Sequence, residues 1–297
     1  MDKVEDKEPT PDELFKKACQ QIIDINNIRK ISRKELTVQT SKKNLIGKGG
    51  QALVYRGTLD GKDVAVKILK NIDWKSLSHE LIIISNVIHP NIPLFYGVVI
   101  DNNEIELVFQ YIEGHSLDTY NTKFNELDRL SIIKAICSAI ELLNQNNFIH
   151  RDLKMENIML DVNNKVYLID FGIAKVVTDM VSTKTRAIGS IYYISPEIYT
   201  DDEYDDENNM ICTITHKVDV WAFGCIISYL YSGYLPWTPK YANLEPVIQS
   251  CLIQRLEFPI PDNIKDTKIR DIIKKATIID INKRATIGEI KEMIEKL

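Results

Sequence analysis

Basic residues are not in excess. The 297-residue chain has 37 Lys and Arg against 42 Asp and Glu, a formal net charge of −5, and so lacks the cationic footprint of a nucleic-acid-binding protein. Cysteine is scarce. Cys19, Cys137, Cys212, Cys225 and Cys251 are scattered, odd in number and without metal-ligand spacing. That argues against a disulfide framework and for reduced thiols in a cytosolic or nuclear compartment. The start, Met1 to Pro9, is charged and does not read as a secretory signal. Internal repeats and low-complexity tracts are missing. One stretch is long and uncharged enough to be weighed as a membrane span, the twenty residues Val220 to Pro239. It includes Ser228, Tyr229, Tyr231, Ser232, Gly233 and Pro236, and the last glycine and proline end a helix, so it reads as a buried core helix.

What is present is ordinary in composition and ordered in pattern. A hydrophobic fraction of 44% and a charged fraction of 27% suit a soluble globular chain long enough for one large domain or two intimate lobes. Thr10-Pro11-Asp12-Glu13 is a helix start: Thr10 can cap free amides, Pro11 suits the first turn, and Glu13 can close a capping box. Leu14, Ala18, Ile22 and Ile25 then recur as one helical face, which predicts a helix near 11–29, docked on its own domain in preference to binding a partner. From Leu45 to Ile68 the pattern is strand, turn (Leu59-Asp60-Gly61-Lys62) and strand. A helix around Ser76–Ile88 follows, then strands near Leu94–Ile100 and Glu104–Gln110. After Ser116 helical periodicity takes over, strongest from Leu130 to Leu143. A strand-rich first part and a helix-rich second part predict an α+β chain of two lobes with a cleft between them.

Three groups of residues carry chemistry. The first is Gly47-Lys48-Gly49-Gly50-Gln51-Ala52-Leu53-Val54, between the first two predicted strands, where glycines let backbone amides approach phosphate oxygens. The second is Val64-Ala65-Val66-Lys67 with Glu80 on the following helix, a lysine that a carboxylate can hold in place as a point charge for phosphates. The third is decisive: His150-Arg151-Asp152-Leu153-Lys154-Met155-Glu156-Asn157, followed by Asp170-Phe171-Gly172. Phosphoryl transfer needs orientation and neutralised charge more than covalent help. Asp152 can orient an attacking hydroxyl, Lys154 can balance charge on the transferring group, and Asn157 and Asp170 supply the few hard oxygen ligands that magnesium takes beside substrate phosphates. Any one of these residues is common in a surface loop; all of them in this order are not.

On these motifs the chain resembles the eukaryotic protein kinase family across about residues 41–297. Ser195-Pro196-Glu197 looks like the end of that family's activation segment, and Asp219 to Gly224 like the start of its central helix. Arg284 matches the arginine that pairs with the glutamate, here Glu197. The resemblance implies a small antiparallel β-sheet N-lobe with one regulatory helix (about 41–112), a larger helical C-lobe (about 113–297) and an N-terminal extension, 1–40. It implies ATP and Mg2+ as cofactors. The implied ATP-binding residues are Ile46, Gly47, Lys48, Gly49, Gly50, Ala52, Val54, Ala65, Lys67, Gln110, Ile112, Met159 and Asp170; Val54, Ala65 and Met159 would sandwich adenine, with Phe109 as gatekeeper. Catalysis falls to Asp152, Lys154, Asn157, Lys67 and Glu80, and metal binding to Asn157 and Asp170. Ala52 departs from the pattern, standing where a third glycine is usual.

Lys154, and Gly189-Ser190 in place of a Gly-Thr pair, are similar to serine/threonine kinases. Val54-Tyr55-Arg56-Gly57 and His89-Pro90-Asn91-Ile92 resemble the tyrosine-kinase-like group among them. The implied function is a cytoplasmic or nuclear serine/threonine kinase acting on protein substrates in signalling, with no nucleic-acid partner. A pseudokinase scaffold is the alternative, but its mark would be loss of Lys67, Asp152, Asn157 or Asp170, and none is lost. A small-molecule kinase is the other; the segment Ile173–Glu197, with its protein-kinase ending, argues against it. Ser182, Thr183 and Thr185 are candidates for activation-loop phosphorylation. Between Glu197 and Asp219 the chain is about ten residues longer than the resemblance predicts, and six of the seven residues from Asp201 to Glu207 are acidic. This predicts a solvated, mobile loop, read either as a tolerated surface insertion or as one that attracts basic partners.

Overall fold

The structure is a computed structural model and describes residues 10–48, 52–70, 74–101, 104–119, 124–172, 174–176, 183–186, 190–199, 203–204, 210–238, 240–241 and 245–297. The chain divides into two compact units. The first runs through Ile88 and takes in Pro93–Ile112; the second comprises His89–Ile92 and everything from Glu113 onward.

The first unit begins with helix α1, Pro11–Ile25, opened by the Thr10/Glu13 capping box with proline in its first turn. It ends four residues short of the sequence expectation, because Asn26 caps it and Asn27 turns the chain with φ 50°. Its buried stripe also differs from the expected one. Leu14 and Ile25 are exposed, whereas Cys19 and Ile23 are buried. The strands β1 (Leu36–Val38), β2 (Leu45–Lys48), β3 (Ala52–Leu59), β4 (Lys62–Leu69), β5 (Phe95–Asp101) and β6 (Glu104–Gln110) form one antiparallel sheet in the order β1-β3-β4-β6-β5, with β2 also on β3. The expected turn is there: Leu59 pairs with Lys62 across Asp60-Gly61, both with positive φ, the geometry that matches a two-residue hairpin to strand twist. Ile31, Leu36, Leu59, Val64, Val66, Val99 and Val108 form its core. Helix α2 (Trp74–Asn86) is the expected helix after β4, starting slightly earlier than read.

The second unit is mainly helical, with α3 (Glu126–Gln145), α4 (Lys217–Ser232), α5 (Glu245–Ile253), α6 (Thr267–Ala276) and α7 (Ile287–Glu295). Capping boxes at Asn125/Asp128 and Thr286/Glu289 start α3 and α7. The uncharged stretch is α4, buried nearly throughout and closed by Gly233. Among the described residues no helix is long and apolar enough to cross a membrane. Sequence periodicity did not announce the short strands of this unit: β7 (Gly114–Ser116), β8 (Phe148–Ile149), β9 (Ile158–Asp161), β10 (Val166–Leu168), β11 (Lys175–Val176), β12 (Thr183–Arg186), β13 (Glu203–Tyr204) and β14 (Met210–Ile214). They make the small sheets β10-β9-β7, β11-β8 and β12-β14-β13.

The last sheet bears on the acidic segment. Asp201, Asp202, Asp205, Asp206 and Glu207 lie outside the described residues. Glu203 and Tyr204 do not belong to a free loop, since they pair with Ile211 and Met210 of β14, whose other edge pairs with Thr183–Arg186. The extra length therefore supplies a strand to the segment carrying the phosphorylation candidates. A run of acids masked the strand-forming Met210-Ile211-Cys212-Thr213-Ile214 that follows it.

Candidate active site

In the first unit, Ala65 and Lys67 lie on β4, and Glu80 on α2. Lys67 Nζ donates to Glu80 Oε1 at 2.6 Å, with side chains only 13% and 6% exposed. This is the tether the sequence predicts. A charge pair so far out of water is held strongly in place, because separating it leaves a desolvated charge uncompensated. Ile46, Gly47 and Lys48 end β2, and Gly47 pairs with Val54 of β3; Ala52 begins β3 and is buried. Gly49 and Gly50 lie outside the described residues. On β6, Phe109 pairs with Ala65 and tilts against Phe95 with ring centroids 5.3 Å apart. The Gln110 amide is engaged by Leu94 O at 2.8 Å, so a ligand there can use at most its carbonyl. Ile112 closes the unit and is buried.

In the second unit the loop from His150 to Asn157 is built around a buried carboxylate. Asp219, in the first turn of α4, accepts the amides of His150 (2.7 Å) and Arg151 (2.9 Å), one on each oxygen. Arg151 has φ 67°, a left-handed conformation that a non-glycine residue adopts only when its surroundings hold it. Asp219 is what holds it. Burial pushes the Asp219 carboxyl up from its ordinary range, and the two amides, with the nearby His150, oppose that. His150 is fully buried: its Nδ1 accepts the Asp152 amide (3.3 Å), its Nε2 meets Ile169 O (3.3 Å), and its ring lies 5.0 Å from that of Phe171. The accepting Nδ1 places the proton on Nε2, which therefore donates.

Asp152 stands at the centre. Its Oδ2 accepts from Lys154 Nζ at 2.7 Å and from Asn157 Nδ2 at 2.9 Å, and the same Asn157 nitrogen donates to Asp152 O at 2.8 Å. Both donors converge on one oxygen, leaving Oδ1 as the acceptor for an incoming hydroxyl. The same bonds consume the Asn157 nitrogen and turn its amide oxygen outward for another ligand. Ile169 N donates to Asn157 O at 2.9 Å, which ties the Asn157 segment to the one bearing Asp170. Asp170 has φ 63° and accepts the Gly172 amide through Oδ1 at 3.1 Å. Among the described residues no group of three or more His, Cys, Asp or Glu could hold a metal. An amide oxygen and a carboxylate on segments joined by the Ile169–Asn157 backbone bond are the donor types that suit a hard cation completing its shell with phosphates and water. Met159, on β9, pairs with Tyr167 and Ser116.

Beside Asp152 the second unit has a small cleft of about 20 Å³, lined by Arg151, Asp152, Ser190, Tyr193, Ile198 and Ile214 among others. Ser190 O accepts the amides of Tyr193 and Ile194, a turn that shapes the wall; Gly189 lies outside the described residues. Of the phosphorylation candidates Ser182 also lies outside them, while Thr183 and Thr185 alternate on β12. Glu197 is bound by Arg284 through two parallel bonds, 2.7 and 2.8 Å. Two residues named in the sequence motifs have hydrogen-bonding roles that the motifs did not reveal. Asp219 was taken only as the start of a helix, although an acidic residue entering an otherwise apolar run signals a buried hydrogen-bond role. Asn91 fixes β10 through Val166 O (2.8 Å) and Leu168 N (2.7 Å).

Comparison with known proteins agrees with this geometry. The family model described as protein kinase domain matches residues 40–294. Cysteine-rich receptor-like protein kinase 18 of Arabidopsis thaliana is 32% identical over 212 residues, covering 66% of this chain and 31% of that protein. Probable serine/threonine-protein kinase nek3 of Dictyostelium discoideum is 29% identical over 235 residues, 73% of this chain and 20% of that protein. Cold-responsive protein kinase 1 of Arabidopsis thaliana is 29% identical over 233 residues, 72% of this chain and 57% of that protein. The matches thus span from a fifth to somewhat over half of these relatives' lengths.

Proposed function

Because the chain belongs to the protein kinase domain family, we propose that it transfers the γ-phosphoryl group of ATP to serine and threonine hydroxyls of other proteins. The observation that carries the reading is the arrangement at Asp152, with one carboxylate oxygen fixed by Lys154 and Asn157 and the other left for a hydroxyl. The Asp152 carboxylate orients the substrate hydroxyl and takes its proton as the hydroxyl oxygen bonds to the γ-phosphorus and the bond from that phosphorus to the β-phosphate oxygen breaks, with ADP leaving. Lys154, held 2.7 Å from Asp152, offsets charge on the transferring group. Lys67, fixed by Glu80, binds the non-transferred phosphates as a positioned cation, and the backbone of residues 46–52 adds amide donors. Val54, Ala65 and Met159 contact adenine, and Gln110 and Ile112 offer it backbone groups. The Asn157 amide oxygen and the Asp170 carboxylate hold the divalent cation, which we take as Mg2+; when bound, it neutralises charge on the phosphates.

The test is the purified chain with radiolabelled ATP, Mg2+ and a generic basic protein, followed by phosphoamino-acid analysis. Label on serine and threonine is expected. Label on tyrosine alone, or none from folded protein, overturns the reading.

Finer parts of the proposal rest on particular residues. Lys154 and Ser190 support the serine/threonine class, and the segments 54–57 and 89–92 the tyrosine-kinase-like grouping. Free, buried Cys19, Cys137, Cys225 and Cys251 support a reducing compartment, the cytoplasm or nucleus. Phosphorylation among Ser182, Thr183 and Thr185 raises activity through the added negative charge. Mass spectrometry of the active enzyme should find phosphate on at least one of them, and phosphatase treatment should lower kcat; a fully active, phosphate-free enzyme contradicts this.

The acidic stretch 201–207 draws basic substrates by raising encounter rate; its Glu203 and Tyr204 share a small sheet with Thr183–Arg186, with β14 between them. Replacing its six acids with serine and asparagine should lower kcat/KM on a basic peptide on the order of tenfold at low salt. The difference should shrink once salt shortens the screening length to about 10 Å, near 0.1 M. Equal values for variant and parent at low salt contradict the idea.

A further inference from the structure

The N-terminal segment 10–33 ties the helix that bears Glu80 to the sheet that bears Lys67. Its first attachment is to α2. Cys19 and Ile23 of α1 are each 1% exposed. The Cys19 thiol meets Trp74 O at 3.5 Å in the first turn of α2, and Asn86 Nδ2 donates to Asn26 Oδ1 at 3.2 Å at the other end. Burial pushes the Cys19 thiol up to about 11, so it keeps its proton and its role as donor.

The second attachment is to the sheet. Beyond the turn at Asn27, Arg29 O accepts the Val98 amide (2.9 Å) and the Ile31 amide donates to Val98 O (2.7 Å), so the segment adds to the edge of β5. Gly97, with φ 145°, makes this approach possible, since a side chain there would collide with the Arg29 carbonyl. Arg33 then grips Glu106 of β6 with two bonds, 2.9 and 2.7 Å, where Glu106 is buried. Strand β6 is hydrogen-bonded to β4, with Lys67 opposite Leu107.

A segment bolted at one end to the sheet that carries Lys67, and along its body to the helix that carries Glu80, fixes the distance between them. We infer that residues 10–33 form a built-in brace holding the Lys67–Glu80 pair closed, with Cys19, Ile23 and Asn26 as positioning residues for nucleotide binding. The inference rests on the proposed role of Lys67 toward phosphate. The contact is intramolecular and, where it is loosened, α2 can swing and Glu80 part from Lys67, so that ATP affinity depends on this N-terminal segment. A helix that merely stabilised the first unit would lower its melting temperature and leave the pair, and nucleotide affinity at temperatures well below melting, as they were.

The experiment uses the full chain and a fluorescent ATP analogue with Mg2+. Binding by the parent, and its measurable weakening in Lys67→Met, test the role of Lys67 by themselves. Given both, Ile23→Asp should weaken binding about tenfold or more, speed amide exchange in 77–86 of α2 and leave β4 and β6 protected. Combined with Lys67→Met it should add little further loss, because both variants act on one ion pair. Ile23→Leu should restore parental binding. If Ile23→Asp fails to fold, the pair Asn26→Ala and Asn86→Ala, which leaves the apolar contact intact, should show a two- to fivefold loss with the same non-additivity. Losses that multiply with that of Lys67→Met, or a lowered melting temperature with unchanged affinity, overturn the brace.

Discussion

Replacing Asp152 with asparagine should lower kcat by about 10²–10⁴-fold, roughly 3–5 kcal/mol of barrier, with little change in nucleotide affinity. The substitution keeps size and shape, so Lys154 still finds an oxygen to donate to. The group lost is a carboxylate that can both orient the hydroxyl and accept its proton. Its effect is confined to the transition state, so kcat should fall while KM for ATP stays near the parental value. Asp170→Asn should cost at least as much by a different route. One of the two proposed oxygen donors to the cation loses its charge, so part of the loss should be recovered as Mg2+ is raised. Steady-state kinetics against ATP and against Mg2+, on variants with parental melting temperatures, separates the two. Near-parental phosphotransfer by either variant would refute the assignment of that residue.

Much of this site was legible because its chemistry is carried by residues close together in sequence. Asp152, Lys154 and Asn157 lie within six positions, and the bonds among them follow from that spacing. Lys67 and Glu80 lie on consecutive elements, so reading a strand and then a helix sufficed to pair them. The longer tie of Arg284 to Glu197 came from resemblance alone; nothing local in Asn282-Lys283-Arg284 names a partner 87 residues away.

What was misread shares one cause, namely that burial depends on a neighbour the local pattern does not contain. On α1 the sequence offers two overlapping apolar stripes, one through Leu14, Ala18, Ile22 and Ile25, the other through Cys19 and Ile23. A helix that docks on one neighbour buries a narrow stripe, and α2 selects the second. The acidic segment was read from its charge as wholly solvated, although Glu203 and Tyr204 pair with β14, whose other partner, Thr183–Arg186, lies far earlier in the chain. Asp219 was read as a helix start because the amides it satisfies belong to residues 150 and 151. Backbone demands of this kind, such as Arg151 at φ 67°, leave no trace in hydrophobic periodicity.

Breaking the Arg284–Glu197 pair should be among the most destabilising single changes in the second unit. The Arg284 side chain is wholly buried and that of Glu197 is 9% exposed. Arg284 also donates through Nε to Ile278 O (2.8 Å) and through a terminal nitrogen to Lys217 O (2.9 Å), while its guanidinium lies over Trp221, 4.9 Å from the ring centre. One side chain thus joins the turn at Pro196–Tyr199, the start of α4 and the loop after α6. Glu197→Ala leaves the guanidinium in place without its carboxylate partner, and water cannot replace what is lost at so buried a position. Removing one partner of such a pair costs about 3–5 kcal/mol. For a unit of 150–250 residues that lowers the melting temperature by roughly 6–20 °C, at about 2–4 °C per kcal/mol. Arg284→Ala should cost as much, with a cavity over Trp221 in addition. The double variant Glu197→Ala/Arg284→Ala should fall short of the sum of the two, because the second substitution removes the charge that the first had stranded. Thermal unfolding of the four proteins under one set of conditions completes the cycle. Strict additivity, or a loss below about 1 kcal/mol for Glu197→Ala, as for an exposed pair, would show that the two charges do not depend on each other.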